Sequence, residues 1–198
     1  MREKKWYPVA YMFIVTAIIS TFVIGFTQAT NKRVKANEKL IFEQAVLTAL
    51  GLYNSEKKLS GIELHNIFIK KLKEPDRQTA GAYTLVEDGT IRAYAVPLEG
   101  QGFWATIKAV IGIAADKKTV TGFAVYQQNE TPGLGAEISK PEFRSQFVDK
   151  VLRQGVNSLT IARPGTLLDQ SSVHAVTGAT QTCTRLEKLI NEGLRQWQ

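Results

Sequence analysis

The feature that most limits how this chain can fold is a long stretch without charge near its start. No charged residue occurs between Lys5 and Lys32, and most of the intervening side chains are apolar. A helix from Trp6 to Phe26, rising about 1.5 Å per residue, is long enough to cross the roughly 30 Å hydrocarbon core of a membrane. We therefore expect residues 1–31 to form an N-terminal tail and one transmembrane anchor.

A cleaved signal peptide is the alternative interpretation of the same segment. The basic start Met1–Lys5 resembles the first region of such a peptide. However, the apolar stretch is longer than the usual core of about 7–15 residues, and Thr27–Ala29 is a poor cleavage site. An uncleaved anchor is favoured. Lysine and arginine occur on both flanks of the segment, so charge leaves its orientation in the membrane open.

The net charge of +7 is concentrated around this anchor. Residues 1–73 hold 12 Lys/Arg against 5 Asp/Glu, whereas residues 74–198 hold 13 of each. Basic residues beside an apolar segment are typical of contact with anionic lipid headgroups. The balanced remainder has no basic stripe with interleaved aromatic residues, so nucleic acid is not an expected partner.

Beyond the anchor, the sequence pattern changes from helical to strand-like. Residues 32–73 are expected to form a juxtamembrane helical region, with one helix continuing to about Leu50 and another over Ser60–Leu72. After these helices the apolar residues alternate with a period of two, and the pair Asp88–Gly89 is a strong hairpin signal. The expected strands are Tyr83–Val86, Ile91–Val96, Phe103–Ile113 and Val120–Tyr126, with a second turn at Asp116–Lys118. Four antiparallel strands with helices before and after predict an α+β domain over residues 74–198.

Two glycine-containing segments follow the last expected strand. In the segment Asn129–Gly135, proline and glycine side by side suit a tight turn. The segment Ser171–Thr180 precedes a helix with an amphipathic stripe, and its hydroxyls and glycine at a helix start suit a phosphate. Each segment also has a simpler interpretation, as an ordinary turn and as an ordinary threonine N-cap.

Taken together, the two segments indicate a family. Glu130–Gly135, followed by Thr177–Thr180 and a final amphipathic helix, resembles the FMN-binding domain found in two related membrane redox pumps. In those pumps the domain belongs to the G-type subunit of the Rnf complex and to the C-type subunit of the sodium-pumping NADH:quinone oxidoreductase. Gly100–Trp104 and the N-terminal anchor are also similar to the family, and the length of 198 residues is closer to the Rnf protein.

The resemblance implies a covalent flavin. FMN would be attached through its phosphate to Thr180 by a separate Mg²⁺-dependent flavin transferase that uses FAD, and Leu134 would pack on the isoalloxazine ring. The cofactor-binding residues that the resemblance implies are Glu130, Thr131, Pro132, Gly133, Leu134, Gly135, Thr177, Gly178, Ala179 and Thr180. One residue departs from the family pattern: His174 stands where an aspartate is usual, three residues before Thr177. The imidazole either impairs transferase recognition or replaces the aspartate in capping the turn.

The resemblance further implies an electron-transfer subunit of a membrane ion-pumping complex, with its folded domain on the extracytoplasmic side of the inner membrane. Its partners would be the other subunits, the flavin transferase and lipid. Such a protein is not an autonomous enzyme, and the sequence contains no catalytic constellation for hydrolysis. Two alternatives stay open: a stand-alone anchored flavoprotein electron carrier, and an assembly subunit without flavin. The single cysteine, Cys183, is interpreted as a small buried apolar residue.

Overall fold

The protein is described here by a computed structural model covering residues 6–54, 59–155 and 157–197. The chain divides into two compact units between Lys39 and Leu40. Helix α1 (Tyr7–Ala49) is uninterrupted, so the expected anchor and the helix after it are one element. Among the described residues it is the one helix long and apolar enough to cross a membrane. Its large apolar side chains up to Phe26 are exposed, as an anchor of this kind requires.

Helix α2 (Gly61–Lys71) begins at a capping box. The amide of Glu63 donates to the Ser60 hydroxyl at 3.3 Å, and the Glu63 carboxylate accepts from the Ser60 amide at 2.8 Å. This reciprocal pair satisfies two of the amides that a helix start leaves without partners. The helix ends one residue earlier than expected, because Leu72 begins strand β1 (Leu72–Lys73).

A buried carboxylate connects the two helices. Glu43 of α1 is 1% exposed, and the His65 ring of α2 lies with its Nδ1 2.9 Å from the Glu43 Oε1. A buried carboxylate without such a partner would destabilise the fold. The contact therefore stabilises the packing of α2 on the end of α1.

Within the described residues the main sheet has five antiparallel strands in sequence order. After β1 these are β2 (Tyr83–Glu87), β3 (Thr90–Gln101), β4 (Thr106–Ala114) and β5 (Val120–Gln127). The four predicted strands are confirmed, but two of their boundaries were wrong by more than one residue. Strand β3 continues to Gln101, and β4 begins at Thr106 rather than Phe103. The reason is a tight bend, closed by the Gly102 amide donating to the Ala105 carbonyl at 2.8 Å.

The turn between β2 and β3 has the geometry that its sequence predicts. Asp88 has φ of 53° and Gly89 has φ of 74°. Two consecutive positive φ values are the signature of a type I′ turn, whose twist matches that of the flanking strands. Glycine adopts this conformation without strain and aspartate tolerates it, which is why the pair stands at this turn.

The turn between β4 and β5 depends on the Asp116 carboxylate. Its Oδ2 accepts from the Thr119 hydroxyl at 2.6 Å, and its Oδ1 accepts from the amides of Thr119 and Lys118 at 2.9 and 2.8 Å. These hydrogen bonds, led by that of the Thr119 hydroxyl, lower the pKa of Asp116 below its ordinary value of 3.8. They favour the charged form of the carboxyl.

A pH dependence follows from this turn. The pKa of Asp116 is lower in the folded protein than in the unfolded chain. The charged carboxylate therefore stabilises the fold fully at a pH above its ordinary pKa, and this stabilisation is lost as the pH falls through the pKa of the folded state. We expect the Asp116 carboxyl carbon to titrate in NMR with a midpoint below 3.8. The stability of Asp116→Asn should fall less than that of the wild type over the same acidic range, because asparagine does not titrate. A midpoint at or above the ordinary value would contradict the turn geometry.

Both faces of the sheet are buried. Helix α4 (Thr180–Trp197) covers one face, and the end of α1 with α2 covers the other. The predicted stripe of α4 is buried, and its members are Leu186, Leu189, Ile190, Leu194 and Trp197. Burying such a side chain contributes roughly 1.5–3 kcal/mol each, so this stripe holds the helix on the sheet.

Besides strand β1 and two 3₁₀ helices (Gly135–Ser139 and Ser145–Phe147), three short elements were not predicted. They are helix α3 (Pro141–Arg144) and the parallel pair β6 (Thr160–Ala162) and β7 (Ser172–His174). Segments of three or four residues are too short to show a helical or strand period. Helix α4 begins at Thr180, the last residue of the segment that the sequence places at a helix start.

Candidate functional site

The two glycine-containing segments, far apart in sequence, meet in one pocket. We call it the α4 pocket, because it lies at the start of helix α4. Its volume is about 190 Å³. Its lining residues are Phe103, Thr131, Leu134, Gly135, Gly178, Ala179, Thr180, Gln181 and Thr182. Three stretches of chain therefore build it: the bend after β3, the loop after β5, and the segment that leads into α4.

Glu130 connects these three stretches from behind the pocket. It is 5% exposed. Its Oε1 accepts from the amides of Phe103 and Trp104 at 2.9 and 3.1 Å, and its Oε2 accepts from the Thr182 hydroxyl at 2.6 Å. Hydrogen bonds to a charged acceptor are short and strong. The carboxylate thus positions both the bend after β3 and the first turn of α4.

Three glycines let the stretches approach closely. A Cβ on Gly102 would lie 2.5 Å from the Glu130 Oε1, and one on Gly135 would lie 2.5 Å from the Thr182 Oγ1. Gly178 has φ of 79°, and a Cβ there would lie 2.9 Å from the Leu134 Cδ2. A side chain at Gly102 or Gly135 would clash, and one at Gly178 would displace Leu134, so these three glycines serve tertiary contacts.

The start of α4 presents hydrogen-bond donors beside a hydroxyl. The first helical bond runs from the Cys183 amide to the Ala179 carbonyl at 3.0 Å. The amides of Thr180, Gln181 and Thr182 have no acceptor in the part of the chain that the structure describes. The Thr180 side chain is exposed at this end. Amide donors at the positive end of an 18-residue helix form a site suited to a phosphate.

Aromatic side chains form the rim of the α4 pocket. Phe103 and Trp104 are 43% and 65% exposed, and their rings pack edge to face with centroids 4.8 Å apart. The Trp104 Nε1 donates to the Thr131 hydroxyl at 3.1 Å, which fixes the indole. Leu134 is also 43% exposed on the rim. Large apolar side chains held in the open beside a phosphate-type site suit a flat aromatic ligand.

The structure separates the predicted site residues into three groups. Six of them line the α4 pocket: Thr131, Leu134, Gly135, Gly178, Ala179 and Thr180. Glu130 lies behind the pocket wall. Pro132, Gly133 and Thr177 are exposed and are not among the lining residues. Phe103, Trp104 and Thr182 were not predicted as site residues, although the adjacent aromatic pair after Gly102 was a usable signal.

His174 lies at the end of β7, away from the lining of the α4 pocket. Its amide donates to the Gln146 Oε1 at 2.8 Å. Its Nδ1 is buried and makes no hydrogen bond among the described residues. This nitrogen therefore does not cap the turn before Thr177.

Cys183 has the buried position that the sequence predicts. It is 2% exposed, and its sulfur accepts a hydrogen bond from the Val176 amide at 3.4 Å. Burial raises the pKa of its thiol above the ordinary value. A buried, protonated thiol is a poor nucleophile, so Cys183 is a core residue.

An antiparallel sheet covered by a terminal helix, with amide donors and an aromatic rim at the helix start, defines an α+β domain with a pocket suited to a flat phosphorylated ligand. Residues 102–195 match the model of the FMN-binding domain family. The chain therefore carries a domain of this family, as the resemblance implied.

Two solved structures have the same fold. The C subunit of a Na⁺-translocating NADH-quinone reductase from Parabacteroides distasonis superposes with a TM-score of 0.70 at 25% identity, over 84% of this chain and 94% of that one. NqrC from Shewanella oneidensis gives a TM-score of 0.68 at 21% identity, over 82% and 96%, and shows the fold alone. The predicted α+β class with an N-terminal apolar helix is confirmed.

Proteins with similar sequences are subunits of two kinds of complex. The C subunit of the Na⁺-translocating NADH-quinone reductase of Pseudomonas aeruginosa is 30% identical over 129 residues, which cover 62% of this chain and 49% of that protein. The G subunit of the proton-translocating ferredoxin:NAD⁺ oxidoreductase complex of Clostridium ljungdahlii is 36% identical over 104 residues, 52% of each chain. The chain thus spans about half the length of these two relatives.

Proposed function

We propose that this protein is an electron-transfer subunit of a membrane ion-pumping oxidoreductase complex of the Rnf type, with FMN bound as a phosphoester to Thr180. The observation that carries the proposal is the position of the Thr180 hydroxyl. It is exposed at the first residue of α4, beside amides without acceptors, in the pocket that the loop Glu130–Gly135 also lines. The family match over residues 102–195 supports FMN as the ligand.

The residues of this chain bind and orient the cofactor, whereas FMN supplies the one- and two-electron chemistry. The amides of Thr180, Gln181 and Thr182 are suited to stabilise the charge that remains on a phosphodiester. Leu134 and Phe103 provide apolar surface for the flat ring system. Glu130 is a positioning residue, because it holds both sides of the α4 pocket without lining it.

FMN would be attached to Thr180 by transfer of the FMN half of FAD. The Thr180 oxygen bonds to the phosphorus of the FMN half of FAD, the bond between the two phosphates breaks, and AMP leaves while the hydroxyl proton is released. A separate Mg²⁺-dependent flavin transferase would catalyse this step. A covalent bond keeps the carrier from losing its cofactor when the charge of the cofactor changes.

The placement in a membrane complex is part of the same proposal. The apolar part of α1 would anchor the chain by a single span, with the folded domain on the extracytoplasmic side, where the transferase acts. Its partners would be the other subunits of the complex and membrane lipid. The named functions of the Pseudomonas and Clostridium relatives, both subunits of ion-translocating redox complexes, support this assignment.

The test is a set of variants of the full chain, each co-expressed with a flavin transferase. We expect wild-type protein to give a fluorescent band in a denaturing gel near 22.0 kDa. The tryptic peptide from Gln154 to Arg185 should carry the added mass of FMN. Thr180→Ala should abolish both signals completely, because no other atom forms the bond. Thr166→Ala is the matched control, because it removes an exposed hydroxyl of the same peptide outside the α4 pocket, and it should retain them.

Two results would contradict the proposal. A band that persists in Thr180→Ala would show attachment elsewhere. Its absence in the wild type, with transferase present and a positive control flavoprotein labelled, would favour an assembly subunit without flavin. Co-purification separates the remaining alternative, since a subunit of a complex brings multi-span proteins with it and a stand-alone carrier does not.

A further inference from the structure

A second cavity shares no lining residue with the α4 pocket. Its volume is about 300 Å³, and we call it the Arg144 cavity. The end of α1, the chain just after it, strand β5 and helix α3 contribute its walls. Its polar lining residues include Gln44, Tyr53, Asn54, Arg144 and Ser145. All of them belong to the second of the two compact units.

The unusual feature of this cavity is that its arginine has a buried nitrogen without a hydrogen-bond partner among the described residues. Arg144 is half-buried, and its Nε is fully buried without a hydrogen-bond partner in the described part of the chain. No ion pair involves its guanidinium among those residues. The nearby Glu142 acts on it electrostatically without forming an ion pair. Desolvation lowers the pKa of Arg144, although an arginine stays charged in a protein at any ordinary pH.

A half-buried cation without a counterion destabilises a fold unless something compensates it. Arg153 illustrates the usual solution, since its exposed guanidinium pairs with Asp169. Arg144 instead lines a cavity whose other polar lining residues, among those that the structure describes, carry amides and hydroxyls without charge. Solvent or a ligand that enters the cavity can supply the missing compensation.

We propose that the Arg144 cavity binds a small oxyanion, a phosphate or carboxylate group. The planar guanidinium donates two parallel hydrogen bonds to either group, a geometry that other cations do not match. Tyr53 and Gln44 line the same cavity, and each has a side chain that can donate a further hydrogen bond. Phe123 and Val148 form apolar walls, so the ligand has room for a short hydrocarbon part beside its anionic group.

The test follows the arginine itself in the full chain, in detergent micelles. Protein labelled with ¹⁵N-arginine gives one Nε–Hε signal per ordered arginine, and Arg144→Gln identifies that of Arg144 by its disappearance. Inorganic phosphate and succinate are titrated at constant ionic strength, with chloride as the balancing anion. We expect a saturable shift of the Arg144 signal and a saturable rise in melting temperature.

Three variants make the result specific. Arg144→Lys keeps the positive charge but lacks the planar guanidinium. It should weaken binding about tenfold, the effect of losing one hydrogen bond to a charged group. Arg144→Gln should lower the rise in melting temperature, and any rise that remains with phosphate is that of the α4 pocket. Arg163→Gln removes the same charge from an exposed residue outside the cavity and should leave the rise unchanged. An equal rise in wild type and Arg144→Gln would overturn the proposal.

The source of the oxyanion is resolved by a second arm in lipid nanodiscs without soluble phosphate or succinate. A shift of the Arg144 signal when phosphatidylglycerol is added to phosphatidylcholine identifies a lipid headgroup as the ligand. A shift with soluble phosphate or succinate alone identifies a small metabolite-like anion. No saturable shift in either arm would overturn the proposal, and neither outcome depends on flavin attachment.

Discussion

Gly112→Ala is expected to prevent stable folding of the domain. A Cβ at this residue would lie 2.0 Å from the Ala49 carbonyl oxygen and 2.3 Å from the Thr121 Oγ1. The Thr121 hydroxyl donates to that same carbonyl at 2.8 Å, so the contact joins the end of α1 to the sheet. The nearest atom is backbone, which cannot move aside cheaply. We expect a loss of more than about 4 kcal/mol, a value reserved for severe packing faults.

The effect should depend on this close approach and not on glycine as such. Gly122, the cross-strand partner of Gly112, faces the same carbonyl with a Cβ distance of 2.8 Å, so Gly122→Ala should be milder but still destabilising. Gly51→Ala is the control. Gly51 has φ of 70° with open space around it, and alanine there should cost only about 1 kcal/mol in backbone strain.

Thermal unfolding of the full chain in detergent, followed by circular dichroism, measures all three variants. Gly112→Ala should give little folded protein or a melting temperature far below that of wild type. A melting temperature equal to that of Gly51→Ala would contradict the tight contact between α1 and the sheet.

Glu130→Ala is expected to destabilise the domain and to disrupt the α4 pocket together. It removes the acceptor of the Phe103 and Trp104 amides and of the Thr182 hydroxyl. Leaving a buried donor without a partner costs about 1–3 kcal/mol each, so a loss of roughly 3 kcal/mol or more is expected. In melting temperature this corresponds to a fall of roughly 6–12 °C for a domain of this size.

Glu130→Gln is the matched control for this prediction. Its carbonyl oxygen can still accept from the two amides, and the Thr182 hydroxyl can accept from its NH₂ group. It should therefore lose about 1 kcal/mol, the difference between a charged and a neutral acceptor. The indole Nε1–Hε1 NMR signal of Trp104, assigned by its loss in Trp104→Phe, gives a local readout, because the amide and ring of Trp104 are both held at the pocket rim. Equal stability of Glu130→Ala and wild type would contradict the positioning role.

The same variants connect the fold to the proposed chemistry. If Glu130 positions the start of α4, Glu130→Ala should lower flavin attachment at Thr180, whereas Gly51→Ala should not. Protein that is stably folded at the assay temperature is compared in both cases. This comparison separates loss of the α4 pocket from general unfolding.

Features that depend on neighbouring residues were readable from the sequence. The type I′ turn needs only Asp88 and Gly89 in sequence, and helix α4 shows its stripe over 18 residues. The apolar segment before Lys32 predicts a membrane span by length alone. Strand β1 and the pair β6 and β7 were missed, because two or three residues carry no measurable period.

The sequence by itself determined the class of the domain, the apolar helix and the two glycine-containing segments, since each depends on local period, φ preference or motif. The tertiary structure decided how those segments cooperate. The partners of Glu130 lie 26 to 52 residues away along the chain, so only folding brings Phe103, Trp104 and Thr182 to one carboxylate. The burial of Arg144 is likewise a tertiary property, because it depends on the residues packed around the side chain. The same holds for its Nε, which has no hydrogen-bond partner among the described residues.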